Sequence, residues 1–162
     1  MSDLLRTSLD RLRQEQDEAR RKIAVEEAAF NANLDRCLTE AEEAVGEFLR
    51  LMAAHGNPGL RRWERRQVKS KSGGRRHNHY QVLEVSRGGW QAWSEAGYLL
   101  PSGEFFAGGQ TLSANVYLRS LLTRPVKSGY FEYAPTVESV RERCQYFGQT
   151  LARLLISHGV AI

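Results

Sequence analysis

Proline is absent before Pro58 in this 162-residue chain, and no glycine occurs before Gly46. The first third therefore lacks the residues that most readily break a helix. Cysteine is equally sparse, with only Cys37 and Cys144, which excludes a disulfide-stapled scaffold and an all-cysteine zinc site. Both are expected as reduced, buried thiols on the apolar faces of two helices, with a disulfide as the alternative. No apolar run approaches the roughly 20 residues that span a bilayer, and the N-terminus lacks the apolar core of a signal peptide. The expectation is a cytoplasmic protein with no membrane partner. A Gly-rich phosphate loop ending in Lys-Ser/Thr, a strained nucleophile turn and a paired-acid spacing are all missing. The reading leans against an enzyme and includes no cofactor and no bound metal.

What the chain does have is charge sorted by sign. Residues 1–56 carry 8 basic and 12 acidic side chains, residues 57–135 carry 12 and 5, and residues 136–162 carry 3 and 2. Within the middle segment, residues 61–76 hold eight Lys/Arg against the single acid Glu64. So dense a positive block attracts polyanions over long range.

From Leu5 the positions Leu5, Leu9, Leu12, Gln16, Ala19 and Ile23 alternate steps of four and three, the heptad spacing that keeps one seam against a partner helix. Beyond Phe30 the apolar set broadens to Leu34, Cys37, Leu38, Ala41, Val45, Phe48, Leu49 and Met52, a stripe suited to a globular core. Gly56, Pro58 and Gly59 then supply a stop. Residues 1–56 are thus predicted as one long helix of about 80 Å, half of it overhanging a domain whose radius of gyration is only about 13 Å. Its seam has to be covered either by another copy of the chain, with a dimer favoured, or by folding back near Asn31-Ala32-Asn33. The oligomer, held through Leu5, Leu9, Leu12, Ala19 and Ile23, is the preferred reading.

Residues 57–162 are predicted as an α+β domain. Short runs rich in Trp, Tyr, Val and Phe, punctuated by glycine, read as an antiparallel meander of about four to five strands. It opens with a basic hairpin over 60–86, whose tip falls at Lys71-Ser72-Gly73-Gly74, and Pro101-Ser102-Gly103 makes a later tight turn. Residues 113–122 are a short helix capped by Ser113, with Val116, Leu118, Leu121 and Leu122 apolar, or else a strand. Residues 130–133 read as one more strand. Thr136 caps a C-terminal helix over 137–158, whose stripe Val137, Val140, Cys144, Phe147, Leu151, Leu154 and His158 packs on the sheet or on the first helix.

The basic hairpin is the leading functional candidate. Arg61, Arg62, Arg65, Arg66, Lys69, Lys71, Arg75 and Arg76 are placed to contact phosphates, each neutralised phosphate releasing counterions. Trp63 and Tyr80 are placed to stack on bases, and His77 and His79 extend the basic surface as pH falls through about 6.5. Alternation puts Trp63, Arg65 and Gln67 on one side and Arg62, Glu64, Arg66 and Val68 on the other, so both faces carry charge, as suits an arm in solvent. The competing functional reading is an interaction adaptor or assembly subunit that docks on an acidic protein. The bland one is a solvated edge hairpin, kept from aggregating by its own charge.

Other constellations carry less. His77-Asn78-His79 spells the name of a nuclease superfamily that spreads these residues over a ββα unit, so the tripeptide is a coincidence. A metal there would need further ligands from His55, His158 or Glu84. Gly108-Gly109-Gln110 matches the water-positioning tripeptide of peptide-chain release factors, but its flanking residues do not, and it reads as a tight strand-to-helix turn. Trp90, Trp93, Tyr98, Phe105 and Phe106 are expected to fill the core, with a ligand pocket as the alternative. Cys144 is expected to be too buried for nucleophilic use.

Overall fold

The computed structural model describes residues 1–60, 66–72, 75–81, 88–93 and 97–160, with residues 66–72, 75–81, 92 and 93 given by their backbone alone. One helix, α1, runs unbroken over Asp3–Ala54, with Ser2 as its N-cap accepting from the Leu5 amide. The fold-back at Asn31-Ala32-Asn33 does not occur. A Schellman motif ends the helix: the Asn57 and Gly56 amides donate to the Met52 and Ala53 carbonyls, satisfying acceptors that a helix end leaves bare.

Among the described residues three antiparallel sheets follow. Strands β1 (Arg66–Ser72) and β2 (Arg75–Gln81) form a two-stranded ribbon. Strands β3 (Trp90–Trp93), β4 (Gly97–Leu99), β5 (Phe105–Ala107) and β6 (Gln110–Leu112) form a four-stranded meander in chain order. Helix α2 (Ala114–Leu122) comes next, then the hairpin of β7 (Val126–Ser128) and β8 (Phe131–Tyr133), and helix α3 (Val137–Ser157) closes the fold.

Local chemistry explains most boundaries. The Ser113 hydroxyl accepts from the Val116 amide, which settles residues 114–122 as a helix. Thr136 and Ser139 form a reciprocal capping box at the start of α3, satisfying two amides that would otherwise lack partners. Between β4 and β5 the Gly103 amide donates to the Leu100 carbonyl and the Leu100 amide to Glu104, closing the expected turn at Pro101-Ser102-Gly103. The Gly108-Gly109 pair departs from expectation: it joins two strands, with Ala107 paired to Gln110. Both glycines have positive φ, 58° and 76°, the requirement of the two-residue hairpin turn whose twist matches the strands.

The core lies where the second half of α1, α3, α2 and the meander meet. Leu34, Cys37, Leu38, Ala41, Val45, Phe48 and Met52 of α1 pack with Trp90, Leu99, Phe105, Leu118, Leu122, Val140, Phe147 and Leu151. Phe105 stacks on Tyr117 with centroids 4.2 Å apart, and Phe48 meets Trp90 edge-on at 5.4 Å. One apolar assignment needs correcting. Val116 is 53 % exposed, the buried face of α2 being Tyr117, Leu118 and Leu122. Leu100 is buried beside Leu99, because alternation ends where the turn begins.

Helices α1 and α3 run in the same direction. Asn33 contacts Val137 and Arg141, and Cys37 contacts Cys144. Beyond the C-terminal ends of both helices, Gly59 abuts His158. Asn33 is a buried clamp, 6 % exposed. Its amide donates to the Val137 carbonyl at 3.3 Å, and its oxygen accepts from Arg36 and Arg141 at 2.8 and 3.1 Å. N-terminal to this clamp the helix leaves the body. Leu4, Leu5, Leu12, Ile23 and Val25 are 80, 52, 55, 54 and 69 % exposed, Ala19 is exposed and Leu9 half-exposed. The overhang of residues 4–29 is about 40 Å of helix.

Two glycines in or near α1 should respond to alanine in opposite ways. A Cβ on Gly46, in the helix interior, meets nothing within 4 Å, so Gly46→Ala is expected to stabilise by about 0.5–1 kcal/mol. Gly59 has φ +70° and a Cβ there would lie 2.0 Å from His158 Cε1, so Gly59→Ala should destabilise by more than that gain. Urea denaturation of the two variants checks both signs.

Candidate nucleic-acid interface

The basic segment leaves the body and returns to it at one place. Trp90, 1 % exposed, donates its indole N–H to the Pro58 carbonyl at 2.9 Å, tying together the two ends of the 58–90 excursion. A buried indole N–H needs such an acceptor, so the core tryptophan also anchors the base of the ribbon.

Within the excursion the register of β1 on β2 fixes the order of charge. Arg66 pairs with Gln81, Val68 with His79, Ser70 with His77 and Ser72 with Arg75; between them Gln67 pairs with Tyr80, Lys69 with Asn78 and Lys71 with Arg76. Ser72 and Arg75 are the last described pair, and Gly73 and Gly74 of the expected tip lie outside the described residues. Alternate pairs belong to opposite faces. Arg66, Arg75, His77 and His79 therefore share one face, and Lys69, Lys71, Arg76 and Tyr80 the other. Lys71 stands directly opposite Arg76 in the register. The ribbon joins no other sheet among the described residues. Arg61, Arg62, Trp63 and Arg65, and the candidate ligand Glu84, lie outside the described residues.

The remaining candidates resolve differently. Trp90 and Phe105 are core, Tyr98 and Phe106 are half-buried, and of Trp93 the backbone alone is described. Gln110 sits in β6, exposed and paired with Ala107. Among the described residues no three His, Cys, Asp or Glu side chains come together as metal ligands. His55 Nδ1 lies 2.9 Å from the Leu51 carbonyl, and His158 packs on Gly59.

The structure brings Cys37 and Cys144 together as free thiols. Cys144 donates to the Cys37 carbonyl at 3.4 Å. Burial first, and then the neighbouring Cys37, push the Cys144 thiol up to about 11.

Two features have no counterpart in the sequence reading. Arg143 of α3 donates to the carbonyls of Leu122, Arg124 and Pro125, closing the end of α2 and fixing the root of the β7–β8 hairpin. That hairpin exposes Tyr130, Phe131 and Tyr133 at 104, 67 and 55 %. The aromatic-rich 130–133 run is visible in the sequence, but its exposure and its partner strand β7 are not. No protein-family model, curated protein or solved structure matches the chain.

The Cys144 environment carries a reactivity prediction. A raised value favours the neutral thiol in the folded state, so its stabilising effect is present below the unfolded thiol's value of about 8.5 and is lost as pH rises toward 11. At pH 8 the folded protein should present on the order of a hundredfold less Cys144 thiolate than the unfolded chain. Iodoacetamide labelling, followed by mass spectrometry with and without urea, checks this; equal rates would contradict it.

Proposed function

We propose that the protein binds nucleic acid without catalysis, through the β1–β2 ribbon and its flanking arginines, and that it does so as a self-assembled homo-oligomer. One observation carries this reading: five of the eight Lys/Arg residues of the densest positive block, Arg66, Lys69, Lys71, Arg75 and Arg76, fall on a two-stranded ribbon that joins no other sheet among the described residues. A narrow ribbon with basic residues at both parities suits a groove or a phosphate track.

In this scheme Lys69, Lys71, Arg75, Arg76 and Arg66 neutralise phosphates, joined by Arg61, Arg62 and Arg65 from the flanking segment. His77 and His79 add charge at lower pH, and Trp63 and Tyr80 stack on unpaired bases. The recognition is mainly of backbone, so sequence preference is modest. Self-association multiplies weak single-ribbon binding through effective concentration.

Fluorescence anisotropy with random-sequence DNA and RNA across a salt series tests the reading. The expected result is affinity that falls steeply with salt. Substituting Lys69, Lys71, Arg75 and Arg76 together by Gln should flatten the slope of log K against log salt by about three, at about 0.7–0.9 for each phosphate no longer neutralised. Absence of binding at low salt, or a slope untouched by the four substitutions, would refute it.

A further inference from the structure

The exposed seam of the arm is not a separate feature from the core stripe. The alternation Leu5, Leu9, Leu12, Gln16, Ala19, Ile23 continues through Glu26, Phe30, Asn33 and Cys37 with the same steps of four and three. Asn33 and Cys37 are the positions at which α3 packs on α1. One face of α1 therefore meets α3 from Asn33 onward and, among the described residues, is left uncovered before Phe30. Whatever covers the arm has to end where α3 begins.

We infer that the occupant is the arm of a second copy of this chain, lying antiparallel. A parallel partner has attractive flanking charges, Glu15 with Arg20 and Lys22 with Glu27 of the other chain. But its own α1, continuing past residue 30 along the same seam, would enter the volume that α3 fills. An antiparallel partner arrives with its N-terminus pointing at the start of α3 and its body far beyond Ser2, so nothing collides.

Charge selects the antiparallel register. Aligning Leu5 with Phe30 places Leu12 on Ile23, Gln16 on Ala19 and Leu9 on the stem of Glu26. It flanks these layers with Arg6–Glu27 and Glu15–Lys22 pairs, each occurring twice, against one repeated repulsion of Arg13 with Arg20. Sliding by one heptad, so that Leu5 meets Ile23, juxtaposes Arg6 with Arg20, Arg13 with Arg13 and Glu15 with Glu15, all repulsive. Gln16, the single uncharged polar residue of the arm seam, sits at the centre of the favoured overlap, where a polar group helps to fix register. The midpoints of the two bodies then lie about 80 Å apart along the common axis.

This inference rests on the self-association in the proposed function and not on its nucleic-acid ligand. Solution mass by sedimentation equilibrium comes first: a dimer is expected, and a chain monomeric at every concentration overturns self-association itself. Orientation is read by oxidising mixtures of full-length Leu12→Cys and Ile23→Cys chains, one carrying a mass tag, with the unsubstituted chain as control for Cys37 and Cys144. Cross-links between the two variants are expected; self-linking of Leu12→Cys chains overturns the antiparallel arrangement and leaves the dimer standing. Charge exchange supplies an independent reading. Glu15→Lys should weaken dimerisation about three- to tenfold, and adding Lys22→Glu should restore it. In a parallel pair the double substitution would set a lysine against Arg20 and a glutamate against Glu27, so further weakening instead of recovery overturns the proposal.

Discussion

One apolar stripe, running the length of a 52-residue helix and covered along only half of it by the described residues, is the constraint from which the rest of the structure follows. From Asn33 to Met52 the stripe is buried against α3, α2 and the meander. Each large side chain sealed there contributes roughly 1.5–3 kcal/mol. Before Phe30 the same face carries leucines and an isoleucine that contribute nothing of the kind in an isolated chain. Most of the stability of a helix in a protein comes from packing of its apolar face rather than from propensity. Packing of the C-terminal half sets the axis of the arm, whose apolar face is left open among the described residues.

The body is built around that helix in a way that also sets the basic ribbon. Trp90 fills the core against Phe48 and at the same time holds the Pro58 carbonyl. The chain thus departs into its most positive segment and returns from it at a fixed point. The acidic surplus of residues 1–56 and the basic surplus of residues 57–135 therefore belong to different structural units, the helix and the sheet-bearing part of the body. The functional reading draws on that separation: a polyanion approaching the ribbon meets a field that the arm does not carry.

Elements with strong local signals are legible in the sequence. The long α1 follows from the missing breakers and the four-three spacing, α2 and α3 from the Ser113 and Thr136 caps, and the 101–103 turn from Pro-Ser-Gly. Features that local chemistry does not encode are not legible there. Asn33 reads as a weak helix breaker, because its partners, the Val137 carbonyl and Arg141, lie more than a hundred residues away in sequence. Strands β6 and β7 have three residues each, too few for alternation to register, so Gly108-Gly109 reads as the wrong kind of connection. Within the candidate site the composition is readable, but the cross-strand register that sets Lys71 opposite Arg76 is not. The Arg143 clamp likewise joins carbonyls far from it in sequence and has no signature.

The central claim is that one face of α1 has two covers, α3 within the chain and a second arm beyond it. Amide hydrogen exchange of residues 4–29, followed as a function of protein concentration, tests this most directly. The account predicts protection that is weak in dilute protein and rises with concentration as arms pair, while residues 33–54 stay protected throughout. Strong protection of the arm in a chain that remains monomeric, or no protection at any concentration, would contradict it.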